Sequence, residues 1–411
     1  MAITIENSPQ TYSPVFNPMR FVCSSNNIAG QNFFFFLIRV KDSGGTTIHQ
    51  ERQIPRYDND YLLFDVARVL EKYTAYDISG ITTGTTGVRK TSNVFKEYTV
   101  QFIEEYGATA SGVASGSTAT SSTGYAYNGV FTDEVFNSFD DSDYLIQTTG
   151  TNKFLTDFRG GNIRIKTGQR FELGWITPAG VSEPSKSVVV KTYNSAGTLI
   201  NTYKIANSFS AGTTTADKFL SVLVGTGDLN STTLSSGSQP IITDSVDTYQ
   251  VYIENNSSTR VSEIITFEID RECYKTDEIR LHWVNSLGRI DSFNFNFASD
   301  RSKDVKQSRF RRDRGSFSGS VFSTTNHEFG LTNFYTQSDR KIKVRTDYIN
   351  NTEAVWLENL IDSPAIWGEI DGKYIPLLMD TTSYRRQTIE LNKLFSVEFD
   401  LSYSVSSYRQ R

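Results

Sequence analysis

Cysteine, histidine and methionine are scarce in this chain: two Cys, three His and three Met in 411 residues. Cys23 and Cys273 stand far apart, and two lone thiols fit a reduced cytoplasm and core packing better than a disulfide framework. None of His49, His282 and His327 belongs to a His-Glu, His-His or Cys-His spacing, so no metal centre is expected. Long apolar runs are also missing. The longest, FFFFLI from Phe33 to Ile38, is far below the roughly 20 residues that span a bilayer, and no membrane partner is expected. The opening MAITIENSPQTYSP has neither a basic start nor an apolar segment, so no signal peptide is read there. There is no nucleophile elbow, phosphate loop or dinucleotide glycine pattern; VGTGDLN at 224–230 reads as a turn. A depolymerase would need two converging carboxylates, and no spacing singles out such a pair. No enzyme and no cofactor are expected.

Single-sign charge is lacking as well. Forty-one Lys and Arg against 46 Asp and Glu leave a net charge of −5, which argues against a dedicated nucleic-acid binder while allowing a local basic patch. What the chain does have is aromatics, 28 Phe and 21 Tyr, with many Thr, Ser, Asn and Gly residues. Strand formers between polar turns predict a mainly β protein, and the length predicts two to four domains. The expected architecture is two immunoglobulin-like or β-sandwich domains followed by a small α+β C-terminal domain.

The first domain is placed at 1–106. Pro9, Pro14 and Pro18 disfavour helix and suit an edge strand or an extended arm lying on a partner. NFFFFLIRVKDSGGTTIHQERQIP reads as a hairpin turning at 42–45. Its first strand is apolar on both faces, Phe34, Phe36 and Ile38 on one and Phe33, Phe35 and Leu37 on the other, so both faces need cover. LLFDVARVLEKY predicts a short amphipathic helix, and NVFKEYTVQFIEEY a strand with Tyr98, Val100 and Phe102 alternating.

Residues 107–150 are expected to be a flexible Gly/Ser/Thr-rich segment and an acidic linker. GATASGVASGSTATSSTG cannot bury enough apolar surface to order itself. Asp140, Asp141 and Asp143 lack the spacing of a calcium loop. Residues 151–297 predict a sandwich: Ile163 and Ile165, Phe171, Leu173 and Trp175, Tyr249, Val251 and Ile253, and Ile265, Phe267 and Ile269 all alternate. SVVVKTYNSAGTLINTYKI predicts a hairpin about 194–197. On EIRLHWV, Ile279, Leu281 and Trp283 share one face, which places Arg280 and His282 on a surface or interface.

Residues 298–340 are expected to be a basic loop or linker. RSKDVKQSRFRRDRG, 301–315, sets seven Lys or Arg against two Asp. Arg309, Arg311, Arg312 and Arg314 are its candidate contacts to phosphate or to an acidic partner. A solvated loop is the favoured reading over DNA contact, because the chain as a whole is acidic. Residues 341–411 read as strand, helix, strand, hairpin and strand. Leu357, Leu360 and Ile361 have helical spacing with Pro364 after them, and Val397, Phe399, Leu401 and Tyr403 alternate with polar residues.

Three blocks carry a family resemblance: SPVFNPMRFVCSS, NFFFFLIRV and FDVARVLEKYTAYD at the start; CYKTDEIRLHWVNSLGRIDSFNF at 273–295; and WLENLIDSPAIWGEIDGKYIPLLMDTTSYRRQT with LFSVEFDLSYS at the end. In that order they resemble uncharacterised structural proteins of tailed phages of Bacteroidota, including crAss-like phages. The resemblance implies a virion component of the tail, neck or baseplate, made in the host bacterial cytoplasm. Its implied partners are copies of itself in a six- or twelvefold ring and other tail or neck proteins. Pro14, Phe16, Pro18, Phe33, Phe35, Trp367 and Tyr374 are the candidate interface residues. The alternative is a receptor- or glycan-binding tail fibre component, in which Trp175, Trp283, Trp356 or Trp367 would stack on sugars. Trp356 belongs to the helix core, leaving Trp367 as the better candidate.

Overall fold

The computed structural model describes all residues except 1–2, 57–59, 85, 92, 110–111, 148, 179–184, 210–217, 382–395 and 411. The fold is mainly β, with several sandwich-like sheets. It divides into two compact units. Unit 1 comprises Met1–Arg271 with Val284–Asp291, and unit 2 comprises Glu272–Trp283 with Ser292–Arg411.

Unit 1 holds four sheets. The first orders β1 (Ile3–Asn7), β3 (Arg20–Ser25) and β6 (Leu62–Asp65) as β1-β3-β6. The second runs β2 (Tyr12–Pro14), β10 (Gly124–Tyr127), β8 (Phe95–Tyr106), β4 (Phe35–Asp42) and β5 (Thr47–Gln53), with β9 (Ala114–Thr120) added to β8. Between these two sheets lies one core, in which Phe21, Phe36, Ile38, Val40, Phe64, Val100 and Phe102 pack. The expected alternation of Tyr98, Val100 and Phe102 is that of β8. LLFDVARVLEKY is helical only from Ala67 onward, because Leu62–Asp65 pairs with β3 instead.

Two expectations are corrected here. The proline-punctuated start is no free arm. Pro14 lies in β2, parallel to β10, and Tyr12, Ser13, Pro14 and Val15 are buried. Proline is tolerated in so short a strand because it need donate no ladder bond there. The Gly/Ser/Thr segment is likewise no flexible tip over its described strand: Gln101–Ile103 of β8 pairs with Thr118–Thr120 of β9. Backbone pairing needs little from side chains, so an exposed polar strand can line an available edge.

The remaining two sheets of unit 1 order β11 (Asn162–Lys166), β17 (Ile265–Asp270), β16 (Thr248–Glu254), β13 (Ser187–Tyr193) and β14 (Leu199–Ala206), and β12 (Glu172–Ile176), β15 (Phe219–Leu223) and β7 (Val88–Lys90). Every alternating residue named for this region falls on a strand except Phe171, which immediately precedes β12. The hairpin turn at 194–197 is closed by Asn194 Oδ1, which accepts from the N–H groups of Ala196 and Thr198. One buried charge group is threaded through this part. Glu172 Oε1 accepts from Arg89 Nη2 at 2.7 Å and from Arg289 Nη2 at 2.8 Å, while Asp77 holds Arg89 Nη1 at 3.0 Å. Gly174 lets Arg289 through, since a Cβ there would meet Arg289 Nε at 2.5 Å.

Unit 2 is built on one sheet. β19 (Ile290–Phe295), β18 (Ile279–Val284), β24 (Ile366–Ile370), β25 (Lys373–Met379), β26 (Glu398–Tyr403), β23 (Leu331–Arg345) and β20 (Ala298–Arg311) follow one another, and β27 (Ser407–Gln410) pairs with the outer part of β23. β21 (Ser316–Ser318) and β22 (Val321–Ser323) make a small separate hairpin. The helix Asn351–Ile361 begins in a capping box: Asn350 Oδ1 accepts from the Glu353 N–H and the Glu353 carboxylate accepts from the Asn350 N–H. It buries Trp356, Leu357 and Leu360. Trp356 meets Trp283 at 5.3 Å between ring centroids and Phe293 edge-on at 5.9 Å. Val397, Phe399 and Leu401 are buried as their alternation predicts, and Tyr403 is half-buried.

The expected boundary at 297/298 moves. The stem residues of the β18–β19 hairpin belong with the C-terminal strands in unit 2, and its tip, 284–291, belongs to unit 1. At that tip Gly288 has φ +73°, and a Cβ would lie 1.4 Å from Asn128 O. The expected basic loop at 298–340 is chiefly two strands, β20 and β23, of the same sheet.

Two stability outcomes are expected in unit 1. Replacing Glu172 with Gln leaves two buried guanidinium groups with Asp77 as their remaining named anion, at a cost of about 3–5 kcal/mol, read as a lowered urea midpoint. Deleting residues through Pro18 removes β1, β2 and the buried side chains of Tyr12 and Val15. It should abolish cooperative unfolding of unit 1; a truncated chain that melts like the parent contradicts this account of the segment.

Candidate functional site

The most exposed ordered feature of unit 2 is the hairpin of β20 and β23. Among the described residues, strand β20 is paired on one side only, along its whole length. β23 is flanked by β26 at Lys341–Arg345 and by β27 at Tyr335–Ser338, so beyond Ser308 and Tyr335 the hairpin is two-stranded. A bulge interrupts the ladder there, between Ser308 and Arg309, and leaves Phe334 without a Cα partner across the strand pair.

Register assigns each side chain to a face. Arg301, Lys303, Val305, Gln307, Arg309 and Arg311 alternate onto one face, with Arg340 opposite Lys303 and Ser338 opposite Val305. The other face carries Asp300, Asp304, Lys306 and Phe310, with Lys343, Lys341 and Asp339 opposite the first three positions of the β20 series at 300, 302 and 304. All three carboxylates of the two strands are therefore on the second face. Two of them are engaged there: Asp304 Oδ2 lies 2.9 Å from Lys341 Nζ, and Asp339 accepts from Ser406 Oγ at 2.6 Å.

The hairpin's far end is apolar. Phe317 is 74% exposed, Phe329 75% and Phe334 66%, and Val321, Phe322 and Leu331 are exposed with them. Phe317 and Phe322 pack on each other at 4.9 Å between centroids. Arg311, Arg312, Asp313, Arg314, Gly330 and Leu331 line an open concavity of about 600 Å³.

Of the candidate contacts, Arg309 and Arg311 lie in β20 and not in a loop, while Arg312 and Arg314 lie in the irregular segment that follows it. Arg309 Nε donates to Asn333 Oδ1 at 3.1 Å, and Arg314 Nη2 to the Thr325 carbonyl at 3.2 Å. The candidate interface residues are divided between the two units. Pro14 is buried, Phe16, Pro18 and Phe33 are exposed and Phe35 is half-buried, all in unit 1. Trp367 and Tyr374 are half-buried in the unit 2 sheet. Among the tryptophans, Trp175, Trp283 and Trp356 are buried, which removes them as sugar platforms. The apolar tip was not singled out by sequence. Its signal was the spacing of Phe and Val among Gly and Ser in RGSFSGSVFS, where an apolar residue has no core to enter.

His282 is corrected from surface to core. β18 lies inside the sheet with both faces covered, so Arg280 and His282 are buried along with Ile279, Leu281 and Trp283. His282 Nδ1 is 2.7 Å from Ser292 Oγ, and Glu369 Oε2 stands 3.6 Å from Nε2, beyond hydrogen-bond reach. The serine, histidine and carboxylate resemble a relay, but Ser292 and His282 are sealed from solvent and can meet no substrate. Burial pushes the imidazole down to about 4, against the opposing pull of Glu369. Among the described residues no helix is long and apolar enough to cross a membrane.

No family model matches the chain, and no curated protein matches it. Solved structures align over long stretches at low similarity. Trypsin-activated alpha-2-macroglobulin from Escherichia coli aligns over 100% of this chain and 34% of its own, with 8% identity and a TM-score of 0.22. The FN1–FN3 domains of chicken CNTN1 align over 84% of this chain and 91% of their own, with 8% identity and a TM-score of 0.20. This chain thus spans about a third of the length of the alpha-2-macroglobulin it aligns with. Likeness this slight carries no argument about what the chain does.

The buried histidine sets a pH dependence with a definite sign. Its folded pKa lies below the ordinary 6.5, so the unfolded chain binds the extra proton. Its stability contribution is intact above pH 6.5 and is lost as pH falls toward 4, by about 3 kcal/mol in all. Melting temperature measured from pH 7 to pH 4 should fall less for H282Q than for the parent; parallel curves contradict the assignment.

Proposed function

We propose that this chain is a structural component of a tailed-phage virion, placed in the tail, neck or baseplate, and that it assembles into a ring through the β20–β23 hairpin. The observation that carries the reading is the exposed apolar tip on a hairpin that is two-stranded beyond Ser308 and Tyr335. A two-stranded ribbon is marginal by itself in water. Clustered exposed aromatics mark a contact surface. A hairpin that docks on a different patch of the next copy makes a heterologous contact, and such contacts close into rings. The three sequence blocks that resemble phage structural proteins point to the same class, as does a mainly β frame. Basic residues are not required for this assembly. A glycan-binding tail fibre is the weaker reading, because Trp367 alone of the four tryptophans keeps any exposure.

Native mass spectrometry of the purified chain should report a six- or twelvefold species. The variant F317S/F322S/F329S should be a folded monomer, while R309S/R311S/R312S/R314S should assemble like the parent. A parent that stays monomeric or trimeric, or a tip variant that still forms the ring, overturns the proposal.

A further inference from the structure

We infer that the basic face of the β20–β23 hairpin is a binding surface for the phosphate backbone of double-stranded nucleic acid. The inference uses the face of the ribbon, not its apolar tip, and does not rest on ring assembly.

Charge is sorted by register. Arg301, Lys303, Arg309, Arg311 and Arg340 share a face on which β20 and β23 place no carboxylate. Sorting of this kind is not needed to guard an edge strand, since cations on either face would serve. Nor are these charges consumed within the protein. Among the described residues the nearest acid is Asp277, whose Oδ2 is 3.8 Å from Arg301 Nη2 at the root of the hairpin, with both side chains well exposed. Arg340 lies over the Tyr403 ring at 4.2 Å, which fixes its guanidinium without neutralising it. Lys303, Arg309 and Arg311 have no ion pair among the described residues.

The dimensions suit a duplex. From Arg301 to Arg311 the strand runs about 33 Å at 3.3 Å per residue, close to one helical turn of DNA at about 34 Å. Its outer part, from Arg309 to Arg311, is two-stranded and narrow enough to enter a major groove. Strand β20 places no aromatic side chain on the basic face, since Phe310 falls on the other, and the Tyr403 ring beside it is covered by Arg340. It therefore offers no stacking platform of the sort that single strands use. Gln307, Thr336 and Asn333 between the cations can donate to phosphate oxygens.

An acidic patch on a second copy of the chain is the competing occupant, and it fits less well. The densest acidic cluster, Asp140, Asp141 and Asp143, is already engaged. Asp143 holds Lys153 at 2.6 Å, Asp141 accepts from the Tyr12 N–H at 3.0 Å, and Asp140 accepts from the Ser142 N–H at 2.9 Å. The net charge of −5 does not oppose local binding, because acids more than about 8 Å away are screened at physiological salt.

Fluorescence anisotropy with a labelled mixed-sequence duplex of about three helical turns tests the inference. Five engaged phosphates predict an affinity that falls on the order of 500-fold between 50 and 200 mM salt. The variant K303S/R309S/R311S/R340S, with its circular dichroism unchanged, should lose that binding. R309K/R311K should keep it, as should D300S/D304S on the opposite face and F317S/F322S at the tip. Absence of binding by the parent at 50 mM salt overturns the inference. So does an unchanged affinity in the quadruple variant, or displacement of the duplex by poly-glutamate at equal charge concentration.

Discussion

A β-strand satisfies its backbone only through its neighbours, and among the described residues of unit 2 the strand β20 has a neighbour on one side alone. Its outer N–H and C=O groups face water along fourteen residues. Such an edge invites pairing with another chain, and charged side chains are the usual guard against it. The density of Lys and Arg in β20 follows from that constraint. The confinement of the carboxylates of β20 and β23 to one face, opposite most of those cations, does not. The exposed tip, the basic face and the long pairing with β23 are thus consequences of a strand that extends beyond the core it is rooted in. At the root Ile342 and Val344 are buried, as is Ser338; further outward on the same face Thr336 is half-buried and Asn333 and Leu331 are exposed.

Unit 1 meets the opposite constraint, which is charge placed inside. Glu172, Arg89, Arg289 and Asp77 hold one another where water is excluded, so each is costly to remove singly. Asn285 adds a hydrogen bond to the Leu155 carbonyl from the same tip that supplies Arg289. These bonds fix the loop 284–291 within unit 1 by directional contacts, which specify position more narrowly than apolar packing does.

Much of this fold is legible in the sequence wherever burial is one-sided. Tyr249, Val251 and Ile253, or Phe399 and Leu401, announce strands because a half-buried strand must alternate. Asn194 and Gly197 announce a turn through their own hydrogen bonds and φ. Legibility fails where pairing is set by distant partners. β18 reads as alternating, yet side chains pack on both of its faces, Trp283 against Trp356 on one and His282 beside Tyr374 and Ser292 on the other, and that is how His282 becomes a core residue. β9 reads as disordered because composition counts apolar area, whereas β8 supplies it with backbone partners. β20 reads as a solvated loop because charge usually marks one; that its partner is β23, twenty residues further on, is not written in either segment. Of the candidate site, the arginines were identified and their geometry was not, while the apolar tip went unnoticed between them.

The central claim is that the outer β20–β23 hairpin is an arm that gains its cover from a partner. Hydrogen–deuterium exchange of the free chain and of the assembled species tests it directly. Amides of Arg309–Arg311 and Leu331–Phe334 should exchange rapidly in the free chain, at the low-stability end of unit 2, and slow strongly on assembly. Equal exchange in both states, or slow exchange in the free chain, would contradict the account.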